Sequence, residues 1–216
     1  MLDLDQAIRE RHSTRMFLPT PVPRGLVEEA LALAQCAPSN SNIQPWHMVF
    51  ASGVAWDRLV AALLDEAKRR PPNIPPLPEA FQHYRSELGR EVYGSMGIAR
   101  EDKEGHLTAV LRNWEFFRAP LAGIVCMHRD LGPPDALSVG MYLQTLLLAL
   151  TERGLGTCCE VSIVGYPEIV RAQLAIPEEL SLLSGLAVGY PDPEFPANKL
   201  HIRREAISKN VMFLDS

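Results

Sequence analysis

Two apolar segments place the tightest constraint on the fold of this chain. "LAGIVCM", from Leu121 to Met127, is a continuous apolar run of the kind found in a strand buried on both faces. The next helical pattern, about Asp135 to Arg153, is apolar on nearly every side, which is typical of a helix inside a layered fold. Helices and strands that alternate around a mixed sheet account for both segments, so the predicted class is α+β or α/β.

Composition predicts a single domain. The 216 residues are 47% hydrophobic and 22% charged, which is the composition of a globular protein. No change in composition and no Gly/Ser linker divides the chain, so we expect one domain over residues 1–216. The proline-dense stretch from Arg69 to Ala80 is too short to join two domains and is predicted to be an insertion.

Charge and hydropathy argue against two classes of partner. The formal net charge is −5 and the basic residues form no long run, which disfavours a general nucleic-acid or anionic-membrane surface. The apolar run Val139–Leu150 is too short to cross a bilayer and contains Gln144. The first fifteen residues lack the apolar core of a secretory signal, so we expect a cytoplasmic protein.

Motifs for metal binding and for several common enzyme classes are missing from the sequence. The four cysteines match no disulfide framework or zinc spacing, and the six histidines show no metal-ligand spacing, so we expect no metal. A Gly-x-Ser-x-Gly elbow, a P-loop and a Gly-x-Gly-x-x-Gly turn are all absent, which disfavours a hydrolase, a kinase or a Rossmann dehydrogenase.

A short basic cluster, "RERHSTR", follows the first predicted helix. Arg11 and Arg15 offer two bidentate forks, His12 an imidazole and Ser13 a hydroxyl, a combination that suits a doubly charged phosphate. A solvated basic turn explains the same residues equally well, and the sequence leaves both interpretations open.

The loop "CAPSNSNIQPW" has the polar groups that a flavin ring requires. The pyrimidine edge of a flavin presents carbonyl, N–H and carbonyl groups, so a site for it needs both donors and acceptors. The loop supplies them between two prolines that stiffen it, through Ser39, Asn40, Asn42 and Gln44. An ordinary helix-to-strand loop is the alternative, since Ser and Asn also favour loops.

Two further segments are weaker candidates. In "GLGTCCEV", Gly154–Val161, the glycines permit a close backbone approach to a ring, although a helix stop before a strand explains them as well. We interpret Cys158 and Cys159 as small packing residues, since a vicinal disulfide is strained. Arg203 and Arg204 in the tail either complete a phosphate site or are surface charge.

Five segments together resemble one family, the FMN-dependent nitroreductases. They are "RERHSTRMF", "APSNSNIQPWHMVF", "RNWEFFRAPL", "GLGTCCEVSIVGYPEIVRAQLAIPEE" and "GLAVGYPDPEFPANKLHIRREAI", in that order and across almost the whole chain. The resemblance implies an α+β three-layer sandwich with a central mixed sheet. It also implies an intertwined homodimer, in which the tail over residues 191–216 crosses to the other subunit and two FMN molecules lie at the interface.

The resemblance also assigns site residues. It implies phosphate and ribityl contacts from Arg11, His12, Ser13, Arg15 and Arg204. It implies a cofactor-contacting loop from the second subunit with Pro38, Ser39, Asn40 and Asn42, a segment under the ring with Cys159, Glu160 and Val161, and a polar contact from Arg112. Glu160 and Val161 replace the small or amide residues more usual in related sequences, so a hydrogen bond to flavin N5 is expected from the backbone.

Residues 71–106 fall where the family carries a variable lid. Candidates for the substrate pocket are Ser41, Tyr93, Phe116 and Phe117, although the aromatic ones suit a plain core equally well. The implied activity is ping-pong transfer of hydride from NAD(P)H through FMN to a small electron-poor acceptor such as a nitroaromatic, with no catalytic side chain. A quinone or enone reductase, an oxygen-dependent flavin-destroying enzyme and a flavin-binding protein without turnover are the alternatives.

Overall fold

The structure is a computed structural model that describes residues 2–214. The strands in that part of the chain are β1 (Trp46–Ser52), β2 (Leu121–His128), β3 (Gly156–Glu160) and β4 (Leu180–Gly189). The helices there are α1 (Leu4–Glu10), α2 (Arg24–Ala34), α3 (Gly53–Arg69), α4 (Gln82–Ser95), α5 (Lys103–Leu111), α6 (Pro133–Glu152), α7 (Pro167–Leu174) and α8 (Ile207–Asn210).

The four strands form one sheet in the order β1-β2-β4-β3, with β1 and β3 at its edges. Each of the three pairings is antiparallel, with Trp46 opposite Met127 and Glu160 opposite Gly185. The α+β class is therefore confirmed, but the sheet is not mixed within residues 2–214. Its parallel element is an isolated bridge between Ser13 and Thr157 at the β3 edge.

Helices cover both faces of the sheet, which gives the predicted three layers. Because side chains alternate along a strand, Ile124 and Cys126 of β2 enter the core under α3 and α7, while Val125 and Met127 enter the core under α2 and α6. The apolar character of "LAGIVCM" and of α6 follows from this burial. The two predictions that constrained the fold are thus confirmed.

The sequence pattern from Leu107 to Phe117 predicts one helix, and this prediction is wrong at its C-terminal end. Helix α5 ends at Leu111, and 3-10 turns continue to Arg118, with positive φ angles at Phe116, Phe117 and Arg118. This change of backbone conformation occurs where two adjacent aromatic side chains enter the core. Both rings are buried here, Phe116 completely.

The segments outside the sandwich are the region 71–106 and the tail. The first comprises a proline-rich extended stretch followed by α4 and α5. The tail lies on the surface, and its last apolar residues are from 47% to 84% exposed: Val211, Met212, Phe213 and Leu214. Residues 215 and 216 of the predicted tail lie outside the described residues. Across residues 2–214, every helix is too short or too polar to span a bilayer.

Candidate functional site

The basic segment lies against the β3 edge of the sheet. Ser13 bridges Thr157, and the Thr14 N–H donates to the Thr157 carbonyl at 2.9 Å. This approach depends on Gly156, because a Cβ at that position would collide with Thr14 Oγ1 and with Pro191. The structure therefore brings together two of the segments that the sequence singled out.

Asn198 fixes this segment from the opposite side. Its Oδ1 accepts a hydrogen bond from the Arg15 N–H at 2.6 Å, and its Nδ2 donates to the carbonyls of Met16 and Asp192 at 2.8 and 2.9 Å. The side chain is buried, so these three bonds are protected from water. Asn198 positions the backbone of the basic segment, and the sequence analysis missed this role.

Two polar atoms of the segment are buried without a partner in the part of the chain that the structure describes. They are His12 Nε2 and Thr14 Oγ1. His12 Nδ1 lies 2.7 Å from the Glu10 carbonyl, which can only accept, so Nδ1 carries the proton. Nε2 is therefore the ring nitrogen that remains for a polar group of a ligand. Because buried polar groups are normally paired, these atoms mark a place for a polar ligand.

The charged side chains are compatible with a phosphate. Arg15 Nη1 donates to the Ser13 carbonyl at 3.1 Å, which leaves its other N–H groups for a ligand. Arg11 is partly exposed, as are His12 and Ser13. Together with the unpaired atoms, this donor set fits the phosphate and ribityl chain of FMN.

Strand β3 ends next to this segment, at Cys159 and Glu160, and Val161 follows directly after the strand. Glu160 is 3% exposed, whereas Cys159 and Val161 are exposed. Burial raises the pKa of Glu160 well above its usual range, and the charge of Arg15 only partly opposes that shift. The structure thus places a buried acid directly beside the candidate cofactor site.

The loop from Pro38 to Gln44 lies elsewhere, on the N-terminus of α6. The Asn40 N–H donates to Ser138 Oγ at 3.2 Å, and Asn40 Nδ2 donates to Asp135 at 3.4 Å. Positive φ angles at Ser41, Asn42 and Gln44 strain the loop, and Ser39 Oγ closes it by accepting from the Gln44 N–H at 3.0 Å. The loop residues Pro38, Asn40, Ser41 and Asn42 are exposed. Their contacts are with α6 and not with the basic segment.

Arg112 lines a separate cavity of about 410 Å³. Its guanidinium lies over the Phe195 ring at 5.3 Å, and its Nη1 is 3.6 Å from Met96 Sδ. Tyr93 is half-buried and contacts His106 edge-on, with 4.5 Å between ring centroids. Phe116 and Phe117 belong to the core under α3.

The tail arginine predicted on the phosphate is exposed and close to its own backbone. Arg204 Nη1 donates to the carbonyls of Ile202 and Arg203 at 2.8 and 3.4 Å. The preceding His201 approaches His12, with 6.4 Å between ring centroids. The tail therefore reaches the basic segment through His201, a residue that carried no signal in the sequence beyond its place before the two arginines.

Comparison with known proteins identifies the family. The model of the Nitroreductase family matches residues 8–190. A 4-nitrobenzoate reductase of Nocardioides sp. (strain LMS-CY) is 34% identical over 97% of this chain and 89% of its own length. The nitroreductase NfnB of Mycolicibacterium smegmatis is 35% identical over 98% of this chain and 94% of its own.

Solved structures agree with these matches. The FMN- and NADPH-dependent nitroreductase NfnB from sphigopyxis sp. strain HMH has a TM-score of 0.94 and 32% identity, with both chains covered completely. The FMN-dependent NfnB from Mycobacterium smegmatis, crystallised with NADPH, has a TM-score of 0.90 and 32% identity over 99% of this chain and 100% of its own. This chain belongs to the nitroreductase family. The resemblance seen in its sequence is confirmed.

Proposed function

We propose that this protein is an FMN-dependent oxidoreductase that uses NAD(P)H to reduce nitroaromatic or similarly electron-poor compounds. The observation that carries the proposal is that the basic segment lies beside the end of β3 and that polar atoms buried there have no partner within the described residues. Relatives at 34% and 35% identity are named as nitroreductases, and the NfnB structures at 32% identity are described as FMN-dependent. We also propose a cytoplasmic location.

In this proposal the basic segment holds the FMN phosphate and ribityl chain. Arg11, Ser13 and Arg15 bind the phosphate, and His12 Nε2 accepts from a ribityl hydroxyl. Arg204 reaches the phosphate after a rotation of its exposed side chain. The backbone at Cys159, Glu160 and Val161 contacts the ring. Arg112 contributes only a peripheral polar contact, since it faces its own cavity.

The flavin, once bound, carries hydride from NAD(P)H to the acceptor. The chain supplies binding and electrostatics. The positive charge of Arg15 favours negative charge on a ligand beside it, and the buried wall formed by β3 strengthens that effect by excluding water. Ser41 and Tyr93 are the accessible candidates for contact with the acceptor, while Phe116 and Phe117 support the site from the core.

We further propose that the site is completed in a homodimer. The loop residues Pro38, Ser39, Asn40 and Asn42 do not contact the basic segment of their own chain, which suits a role at the site of a second copy. The exposed apolar tail needs a surface to cover it. The free edge of β1 and the cavity of about 650 Å³ beside it, lined by Val22, Phe50 and Leu121 among others, offer such a surface to the tail of a second copy. We propose that residues 1–216 form one domain and that the region 71–106 serves as a lid within it.

Spectroscopy of the purified protein tests the proposal. We expect a yellow protein whose flavin absorbance bleaches on anaerobic addition of NADPH or NADH and returns when 4-nitrobenzoate is added. A colourless protein that added FMN does not restore contradicts the proposal. Bleaching that takes hours indicates a flavin-binding protein without turnover. Reoxidation by quinones but not by nitroaromatics indicates a quinone reductase.

A further inference from the structure

The carboxyl group of Glu160 is enclosed at the end of β3 without any hydrogen-bond partner in the described chain. Both carboxyl oxygens are buried and unpaired, and the residue is 3% exposed. Its backbone is held in place, because the Glu160 N–H donates to Ser184 Oγ at 3.2 Å and the residue pairs with Gly185 on β4. The side chain cannot easily move to solvent without disrupting the strand.

The charges near Glu160 do not neutralise it. Arg15 is the cation that acts on the carboxyl, yet the two form no ion pair within the described residues. On β3 itself, Cys158 and Cys159 precede it as thiols, and Arg11 acts on Cys159. The charged residues on the helical elements that contact β3 are Arg112, Glu115 and Arg118 before β2, and Asp135 and Glu152 of α6 with Arg153 directly after it. Of these, Glu115 pairs with Arg118 and Glu152 pairs with Arg153.

Burial therefore decides the protonation state. An ionised carboxylate that is removed from water and lacks hydrogen-bond donors is far more costly than the neutral acid, and such groups normally keep their proton. The nearby guanidinium would have to contact the carboxylate directly to offset that cost. Arg15 instead donates one N–H to the Ser13 carbonyl, and its other guanidinium N–H groups have no hydrogen-bond partner within residues 2–214.

We propose that Glu160 is a neutral carboxylic acid in the native protein, and that its neutrality leaves the positive charge of Arg15 free for the negative charge that a bound flavin gains on reduction. An ionised Glu160 would compete for Arg15 and would repel that negative charge. Glu160 is thus a positioning residue that keeps its proton throughout turnover. The second part of the proposal rests on the proposed flavin function, whereas the first part does not.

Infrared spectroscopy tests the protonation state directly. In a difference spectrum of the full-length protein minus Glu160→Gln at neutral pH, we expect the C=O stretching band of a protonated carboxyl, shifted in D2O. The corresponding difference for Glu178→Gln, which removes a mostly exposed carboxylate, should lack this band. A Glu160 difference spectrum that shows only carboxylate bands overturns the proposal. This measurement needs no flavin, so it decides the first part even if the flavin function is wrong.

The flavin potential tests the consequence for Arg15. We expect the holoprotein and Glu160→Gln to have the same midpoint potential near neutral pH and to separate at higher pH, where the potential of the wild type falls more steeply with pH as Glu160 ionises. A variant potential above that of the wild type across the whole pH range shows that Glu160 is ionised and overturns the proposal. If Glu160→Gln does not fold, Glu160→Met replaces it as a neutral variant of similar length.

The pH dependence of stability gives a further readout. Because the native state holds a proton that the unfolded state releases above its ordinary pKa, the free energy of unfolding should fall as pH rises from that value toward the raised pKa of native Glu160. Subtracting the profile of Glu160→Gln isolates this one group. A difference between the two profiles that is flat with pH, or that rises, contradicts a retained proton.

Discussion

The basic segment and the tail belong to the same candidate site, but the chain holds them in opposite ways. Backbone around Arg15 is fixed by a bridge to Thr157 and by three hydrogen bonds of buried Asn198. Beyond His201 the tail has few contacts with the body, although Tyr84 donates to Glu205 at 2.7 Å and so links it to α4. One half of the site is pre-formed within a chain, whereas the other half would be ordered by a second chain in the homodimer that we propose.

The loop from Pro38 to Gln44 has features of both regions, because it is held firmly by its own chain and is also exposed. It is strained at three residues and is anchored on α6, so its shape is set before any ligand binds. It is nevertheless exposed and directed away from the basic segment of its own chain. Rigid but unused surface of this kind is what a contribution to the site of a second copy requires.

The largest effect is expected from substitutions in the tail. Phe213→Asp combined with Leu214→Asp should turn a dimer into a species of 24.0 kDa and release FMN. Burial of each large apolar side chain contributes about 1.5–3 kcal/mol, and a dimer loses four of them from its two tails, so dimerisation weakens by at least about 6 kcal/mol, or more than roughly 10⁴-fold. Light scattering after gel filtration measures the mass. Val54→Asp, at an apolar residue that is 74% exposed on α3, is the control that should stay dimeric. A monomeric wild type, or a dimeric double variant, contradicts tail exchange.

Asn198→Ala tests the half of the candidate site that is formed within one chain, the basic segment around Arg15. The change leaves the Arg15 N–H and two carbonyls without their buried partner, and each such group costs about 1–3 kcal/mol. We expect the free energy of unfolding in urea to fall by about 3–4 kcal/mol, and FMN affinity to fall with it. Asn113→Ala removes a bond to the Val110 carbonyl and one from Ser162 Oγ in a less buried place, and it should cost less than half as much. Equal losses in the two variants would show that Asn198 has no special role.

The sandwich was predictable because its signals are local. The apolar run of β2 reflects burial on both faces of the sheet, which the structure shows. Helix α6 packs on one of those faces, and Leu137 on its outer side is 67% exposed. Antiparallel pairing of the strands was not predictable, because pairing direction is set by how the strands are connected in space. The 3-10 turns after Leu111 were missed for a related reason, since the burial of Phe116 and Phe117 overrides the helical pattern.

The site was predictable as a set of segments but not as a geometry. Sequence pointed to Arg11–Arg15 and to Cys159–Val161, which the structure brings together. It could not show that Asn198 fixes the backbone of the basic segment, because a single buried amide has no periodicity or spacing that identifies it. Nor could it show that Glu160 is enclosed without a partner, since that depends on Ser184, Gly185 and the segment around Arg15 at once.

Arg204→Ala tests whether the tail contributes directly to FMN binding. If this exposed arginine turns onto the phosphate when FMN binds, its loss should weaken FMN binding by roughly 1.5–3 kcal/mol, the worth of a charge-assisted contact. The effect should shrink at high salt. Fluorescence titration of FMN into protein stripped of flavin measures the affinity. Arg58→Ala, an exposed arginine on α3, controls for the loss of net charge. An FMN affinity equal to that of the control removes Arg204 from the site.

The smallest effect is expected for Ser39→Ala, which tests the loop from Pro38 to Gln44. Ser39 Oγ accepts from the Gln44 N–H and closes a loop that contains three residues at positive φ. Loss of one partly exposed hydrogen bond costs about 1 kcal/mol, so FMN should bind about fivefold more weakly while the dimer persists. Ser86→Ala removes a comparable bond, from Ser86 Oγ to the Gln82 carbonyl on α4, and should leave FMN affinity unchanged. If the loop serves the site of the other copy, as we propose, a mixed dimer with one Ser39→Ala chain should show one weakened site and one normal site. Two equally weakened sites would instead mean that the loop acts through overall stability.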